Sequence, residues 1–172
     1  AAGMKGSIPV ASTTFGLGNE HQSISAEEGN GMLTSYTYYE EIDTPRNQAF
    51  VKRFKDQYGG ADAPYLNELA VRSYEGIHLW AEGVKAAGTL DRMAVIEALE
   101  GNVTFDGPSG VISIEPTSHH ATLNAYIAEV QDQKFNVLEK FPEQKPTDTM
   151  QVCNLIENPN QSAFLFENGL EA

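Results

Sequence analysis

Residues 32–59 read MLTSYTYYEEIDTPRNQAFVKRFKDQYG, and this stretch confines the fold more than any other. A strand rich in aromatics, ending in Tyr36, Tyr38 and Tyr39, runs through Ile42, Asp43, Thr44 and Pro45 into a helix. Thr44 is placed to cap that helix and Pro45 to open it, where a missing N–H costs nothing. Ala49, Phe50, Phe54 and Tyr58 then recur at helical spacing until Gly59 and Gly60 stop it. In open α/β folds the carboxyl edge of the sheet is where small ligands bind, so aromatic rings at that edge are candidate contacts. Tyrosine is also a good strand former, and core packing explains the same rings.

Around this unit the chain alternates further. Ala1, Ala2, Gly3 and Gly6 read as the end of a helix, residues 8–14 as a short buried strand, and residues 19–28 as a brief helix or two turns. The longest helix is expected over residues 65–87. Its Leu66, Leu69, Ala70, Ser73, Ile77, Trp80, Ala81 and Val84 form one wide apolar stripe, and Gly88 ends it. Thr89 or Asp91 caps a third helix through Leu99, closed by Gly101. From Val103 the period changes to two: a short strand to Phe105, a turn over residues 106–110, then Val111, Ile112 and Ile114. Residues 121–131 and 135–141 make an antiparallel hairpin through Asp132, Gln133 and Lys134. The tail from Glu143, with Pro146 and Pro159, reads as an extended excursion. Two crossover strands are too few for a doubly wound sheet, so the chain is expected to belong to a larger protein or to pair with another polypeptide.

Composition removes several functions. Of 172 residues, 41% are apolar, which suits a packed domain, and 24 Asp and Glu against 11 Lys and Arg give a net charge of −13. That charge repels phosphate backbones and anionic lipid, so nucleic acid is not an expected partner. The apolar runs fall short of the roughly 20 residues that cross a bilayer. A signal peptide cannot be read from the first residues. One cysteine, Cys153, allows neither an intrachain disulfide nor a Cys-based metal cluster. His119 and His120 are adjacent without a supporting ligand at metal spacing, and His21 and His78 stand alone. Gly16 and Gly18 lack the later glycine and lysine of a phosphate loop. Ser12, His21 and Asp43 can be assembled into a triad on paper, but no G-x-S-x-G elbow accompanies them, so a small α/β enzyme has little in the residues to recommend it.

Taken in order, IPVAST, YTYYEEIDTPRNQAFVKRFKDQYG, SYEGIHLWAEGVKAAG and the run from EALEGNVTFDGPSG to NVLEKF resemble the C-terminal part of a type I periplasmic binding protein. The resemblance covers residues from about 1 to 152. The step at residues 42–45, the TFDGPSG turn and the histidine-bearing loop after Ile114 are most similar to the amide and urea receptors of that superfamily. The resemblance implies an α/β fold, the C-terminal part of a two-lobe, Rossmann-like molecule about twice this length. Residues 1–40 would then be the remainder of lobe 2 with a hinge strand, 41–110 a helical segment of lobe 1, 111–142 strands and a hairpin returning to lobe 2, and 143–172 a C-terminal extension.

Such a protein needs no cofactor and catalyses nothing; its lobes close on a small polar solute, and an ABC transporter permease recognises the closed form. The resemblance therefore implies an extracytoplasmic receptor for a short amide, urea or a branched-chain amino acid, partnered by the permease and by the N-terminal portion of its own fold. It places Ser12, Thr13, Thr14 and Phe15 at the end of the first strand, and Tyr36 and Tyr38 at the hinge, as ligand contacts. An amide-sensing cytoplasmic regulator of the same fold is the alternative. One departure bears on the ligand: the amide and urea receptors carry Glu-Ala-Ala-Tyr where this chain has Val71, Arg72, Ser73 and Tyr74. Without that carboxylate an amide N–H needs another acceptor.

Overall fold

The computed structural model describes residues 8–160, so the helix end expected at Ala1 to Gly6 lies outside the described residues. Along the chain come β1 (Ala11–Ser12), a single 3-10 turn at Glu20–Gln22, α1 (Ala26–Gly29), β2 (Leu33–Tyr36), α2 (Pro45–Gln57) and a second 3-10 turn at Gly60–Asp62. Then follow α3 (Glu68–Ala87), α4 (Arg92–Glu100), β3 (Thr104–Gly107), β4 (Gly110–Ile114), β5 (Ala121–Gln131), β6 (Lys134–Gln144) and α5 (Thr147–Met150).

The sheet is mixed and built around β5. Among the described strands only β1 and β2 run parallel, with Ala11 opposite Leu33. β2 lies antiparallel to the second half of β5, Tyr36 facing Tyr126, while β4 pairs with the first residues of β5, Ile114 facing Ala121. β6 runs antiparallel along nearly the whole of β5, with register shifts between Leu123 and Ala125 and between Ile127 and Ala128. The alternation of β5 sends Asn124, Tyr126, Ala128 and Val130 inward. Tyr126, Ala128 and Val130 meet Tyr36, Tyr38, Tyr39, Ile42, Leu66, Val71 and Phe135 in one core, with Phe15, Leu17, Phe50, Phe54 and Tyr65 packed around it.

Capping chemistry sets the helix boundaries. The Thr44 side chain accepts from the Asn47 amide with Pro45 at the first position of α2, Asn67 accepts from Ala70 at the start of α3, and Asp91 accepts from Met93 and Ala94 at the start of α4. Gly88, with φ 66°, ends α3 in the left-handed region, where glycine carries no Cβ penalty.

Three expectations are corrected. The first strand shrinks from residues 8–14 to two, because Ser12 Oγ accepts from the amides of Thr14 (3.1 Å) and Phe15 (3.0 Å) and turns the backbone out of the sheet. The second strand stops at Tyr36; beyond it the chain curls so that Tyr39 reaches back to the Thr34 hydroxyl at 2.8 Å.

The third correction concerns α3. Its buried face is Val71, Glu75, Leu79 and Gly83, and Gly83 admits the Leu99 side chain of α4 so closely that a Cβ would lie 2.9 Å from it. Leu66, ahead of the helix, is buried as the stripe read from the sequence expects, but much of the helical part of that stripe is on the opposite side: Leu69 is 60% exposed, Ile77 67% and Trp80 51%. Both faces of α3 are thus apolar, and the charged Glu75 concealed the one that is packed. Among the described residues, no helix is long and apolar enough to cross a membrane.

Candidate ligand-binding site

The turn that follows β1 is the best-defined surface feature at the carboxyl end of the parallel pair. Ser12 Oγ organises it from within, leaving the Thr13 and Thr14 side chains exposed and Phe15 half-buried. Tyr36, at the end of β2, donates its hydroxyl to the Phe15 carbonyl at 2.8 Å. Burial, with Glu68 and Glu20 adding to it, pushes the Tyr36 phenol up to about 12, so it stays a neutral donor. Glu20 closes the other end of the turn by accepting from the Gly16 amide at 2.8 Å. Asn67, the capping residue of α3, donates to the Leu17 carbonyl at 2.6 Å. Ser12, Thr13, Thr14, Phe15 and Tyr36 are therefore brought together beside the start of α3.

Tyr38 is placed differently. Its ring is buried, and its hydroxyl donates to Asn47 Oδ1 at 2.8 Å. Asn47 in turn donates to the Glu40 and Ile42 carbonyls, both at 2.9 Å. Tyr38 thus fixes the segment entering α2, and burial raises its pKa.

Sequence reasoning missed the charged cluster between these strands. Arg72 donates from Nε to Thr37 Oγ1 (2.7 Å), from Nη2 to the Thr37 carbonyl (2.5 Å) and from Nη1 to Glu75 (2.6 Å). Glu68 takes the Thr37 amide at 2.6 Å and the Thr37 hydroxyl as well. Fully buried Glu75 also accepts from the Ser109 amide (2.8 Å) and hydroxyl (2.9 Å), while the Ser109 carbonyl accepts from Asn124 and Tyr126. Burial pulls the Arg72 pKa down, and the carboxylates of Glu75 and Glu68 oppose that. The cluster ties α3 to the residue that follows β2, to the turn before β4 and to β5. The i, i+3 spacing of Arg72 and Glu75 was the available signal.

His21 lies in the loop behind the turn, fully buried between Tyr65 (ring centroids 4.7 Å apart) and Phe135 (4.3 Å), and neither ring nitrogen has a hydrogen-bond partner among the described residues. Burial lowers its pKa, which keeps the imidazole neutral. His119 approaches Glu100 at 2.6 Å, and His120 is exposed.

A parallel strand pair and an antiparallel hairpin share one mixed sheet, with helices in the connections, which is an open α/β arrangement. The sequence pattern of the family described as "Periplasmic binding protein" matches residues 1–134. The chain belongs to that family. Among its relatives, the Leu/Ile/Val-binding protein homolog 6 of Brucella abortus (strain 2308) is 32% identical over 105 residues, 60% of this chain and 26% of the relative. The solute-binding protein of an ABC transporter from R. palustris, solved in complex with 4-hydroxybenzoate, is 31% identical with a TM-score of 0.58, covering 69% of this chain and 33% of that one. An amino acid ABC transporter substrate-binding protein from Pseudomonas fluorescens Pf-5 has the same fold at a TM-score of 0.70 and 22% identity, over 85% of this chain and 40% of its own. This periplasmic binding protein chain thus spans about a quarter to two-fifths of the relatives it matches.

Proposed function

We propose that this chain supplies the hinge end and part of the ligand cleft of an extracytoplasmic solute-binding subunit of an ABC transporter, and that the ligand is a small carboxylate with an apolar body. The pinned turn carries the reading: Ser12 and Tyr36 hold its backbone rigid, and Thr13, Thr14 and Phe15 offer two hydroxyls and a ring at the carboxyl end of the parallel strands. Val71 is fully buried, so the position where amide and urea receptors carry glutamate presents no acceptor here. This counts against a short amide or urea, whose N–H donors that glutamate would accept. The relatives support the carboxylate class, since those named above include one solved with 4-hydroxybenzoate and one named for leucine, isoleucine and valine.

Tyr38 acts in this reading through Asn47, as a support of the hinge. The outward face of α3 is covered by the portion of the polypeptide that completes the family fold, and the closed form is what the permease recognises.

Titration calorimetry on the protein at the full length of its relatives tests the proposal, with 4-hydroxybenzoate, leucine, acetamide and urea as probes. One of the two carboxylates is expected to bind, with affinity falling roughly tenfold in Thr13→Val, the loss of one hydrogen bond to a charged group. Binding of acetamide or urea with neither carboxylate overturns the ligand class.

A further inference from the structure

Away from the turn, α2, α3 and the β3–β4 turn enclose a groove of about 570 Å³. Arg46, Ala49, Phe50 and Arg53 present one face of α2 to it, at i, i+3, i+4 and i+7 spacing. Tyr74 and His78 of α3 and Phe105 of β3 line the rest, and Asp106 stands at the rim. The His78 ring is stacked on Phe105 with 9° between planes and centroids 5.0 Å apart, and Tyr74 packs on His78 at 4.4 Å. Arg53 is held over the Phe50 ring, its Cζ 5.7 Å from the centroid. Arg46 pairs with Asp106 at 2.6 Å, linking the first turn of α2 to the β3–β4 turn.

Three observations single this groove out. The chain carries a net charge of −13 and only four arginines, and two of them meet here beside a histidine. Arg53 has no carboxylate partner among the described residues; its guanidinium is steadied by an aromatic face, which leaves its N–H donors free for a planar anion. The groove also opens beside the first turn of a thirteen-residue helix, where Pro45 carries no N–H and Thr44 takes the Asn47 amide, so that the helix dipole adds to the two arginines in favouring negative charge. Ala49 leaves room between the two arginines, and the rings of Phe50, Tyr74 and Phe105 give an apolar wall.

We propose that this groove is a binding site for a small aromatic carboxylate, its anionic end held by Arg53 and Arg46 and its ring against Phe50, Tyr74 and Phe105. The site is separate from the turn at residues 12–15 and stands whether or not that turn binds a solute. Asp106 competes with the ligand for Arg46, so the ion pair at the rim sets the affinity.

The test is an amide and side-chain NMR titration of the 172-residue chain with sodium benzoate, and with benzamide as the uncharged control. Saturable shifts are expected at residues 46–53, His78 and 105–107. A bidentate guanidinium–carboxylate contact should make Arg53→Gln bind roughly tenfold more weakly. Asp106→Asn, which frees Arg46, should bind severalfold more tightly, a gain that a purely structural role would not produce. Lys52→Gln, which removes one positive charge from the same helix away from the groove, should change nothing. Arg53 and Asp106 are exposed, and circular dichroism checks that each variant keeps the fold. Equal affinity for benzamide, an Arg53→Gln variant that binds as the parent does, or the absence of saturable shifts in the groove overturns the proposal. Shifts confined to residues 12–15 and Tyr36 overturn it too, while supporting the reading of the turn.

Discussion

Glu75 shows how much one side chain can determine here. It is fully buried and holds three partners at once: the Arg72 guanidinium and the amide and hydroxyl of Ser109. A Cβ on Gly107 would lie 2.3 Å from its carboxylate, so the backbone of the β3–β4 turn is drawn in to the point where only glycine fits. Removing the carboxylate leaves the Nη1 end of a largely buried guanidinium and the buried Ser109 amide without an acceptor, while Thr37 still holds the rest of Arg72. Glu75→Ala is therefore expected to cost on the order of 3–5 kcal/mol in urea unfolding, as for other broken buried ion pairs. A loss below about 1 kcal/mol would mean that water or a neighbouring acceptor replaces the carboxylate. Residues of this kind were the least legible from sequence. Within the sequence Glu75 is one charge in a helical pattern, and nothing in one dimension reveals that Ser109, 34 positions away, donates to it.

At the scale of elements, caps, glycines and alternation announced themselves, because they are local chemistry: Thr44 with Pro45, Asp91, Gly88 and the β5–β6 hairpin all lie where the residues put them. Loops were harder, as the connection from β4 to β5 illustrates. Its adjacent histidines draw the eye, yet the organising group is Glu115, whose carboxylate accepts from the Thr117 amide (3.0 Å) and hydroxyl, the Ser118 amide (2.8 Å) and the Ser118 hydroxyl (2.5 Å). Desolvation works against the charge, but these donors outweigh it and bring the pKa down to about 2 from the ordinary 4.5. A carboxylate whose folded pKa is depressed gives stability that is fully present above the unfolded value and is lost as pH falls through the folded one. Thermal melts from pH 6 to 2 should therefore show a loss concentrated between about 4.5 and 2, and Glu115→Gln should flatten that limb. An unchanged acid limb in the variant would assign the effect to other carboxylates.

The whole molecule is decided by which face of α3 is covered. A helix that is apolar all round belongs inside a protein, yet here Val71 and Leu79 are packed while Leu69, Ile77 and Trp80 face outward, and Leu90 and Met93 in the following segment are exposed as well. Periodicity revealed that α3 has an apolar stripe; it could not say which neighbour the stripe meets, and among the described residues none covers Leu69, Ile77 and Trp80. The relatives extend well beyond the region matched, and our reading is that their additional chain covers this face. Trp80 is the single tryptophan of the chain, so its fluorescence reports on the question directly. In the 172-residue chain its emission should be that of a half-exposed indole, readily quenched by acrylamide. In the protein at the full length of its relatives it should shift to the blue and resist quenching. Ile77→Asp should then leave the unfolding of the shorter chain nearly unchanged, while costing the longer one at least about 2 kcal/mol for a charge forced against an apolar partner. If Trp80 is quenched equally in both lengths and Ile77→Asp is harmless in both, the face is open in the assembled protein, and the core of its helical segment lies wholly on the side of Val71 and Glu75.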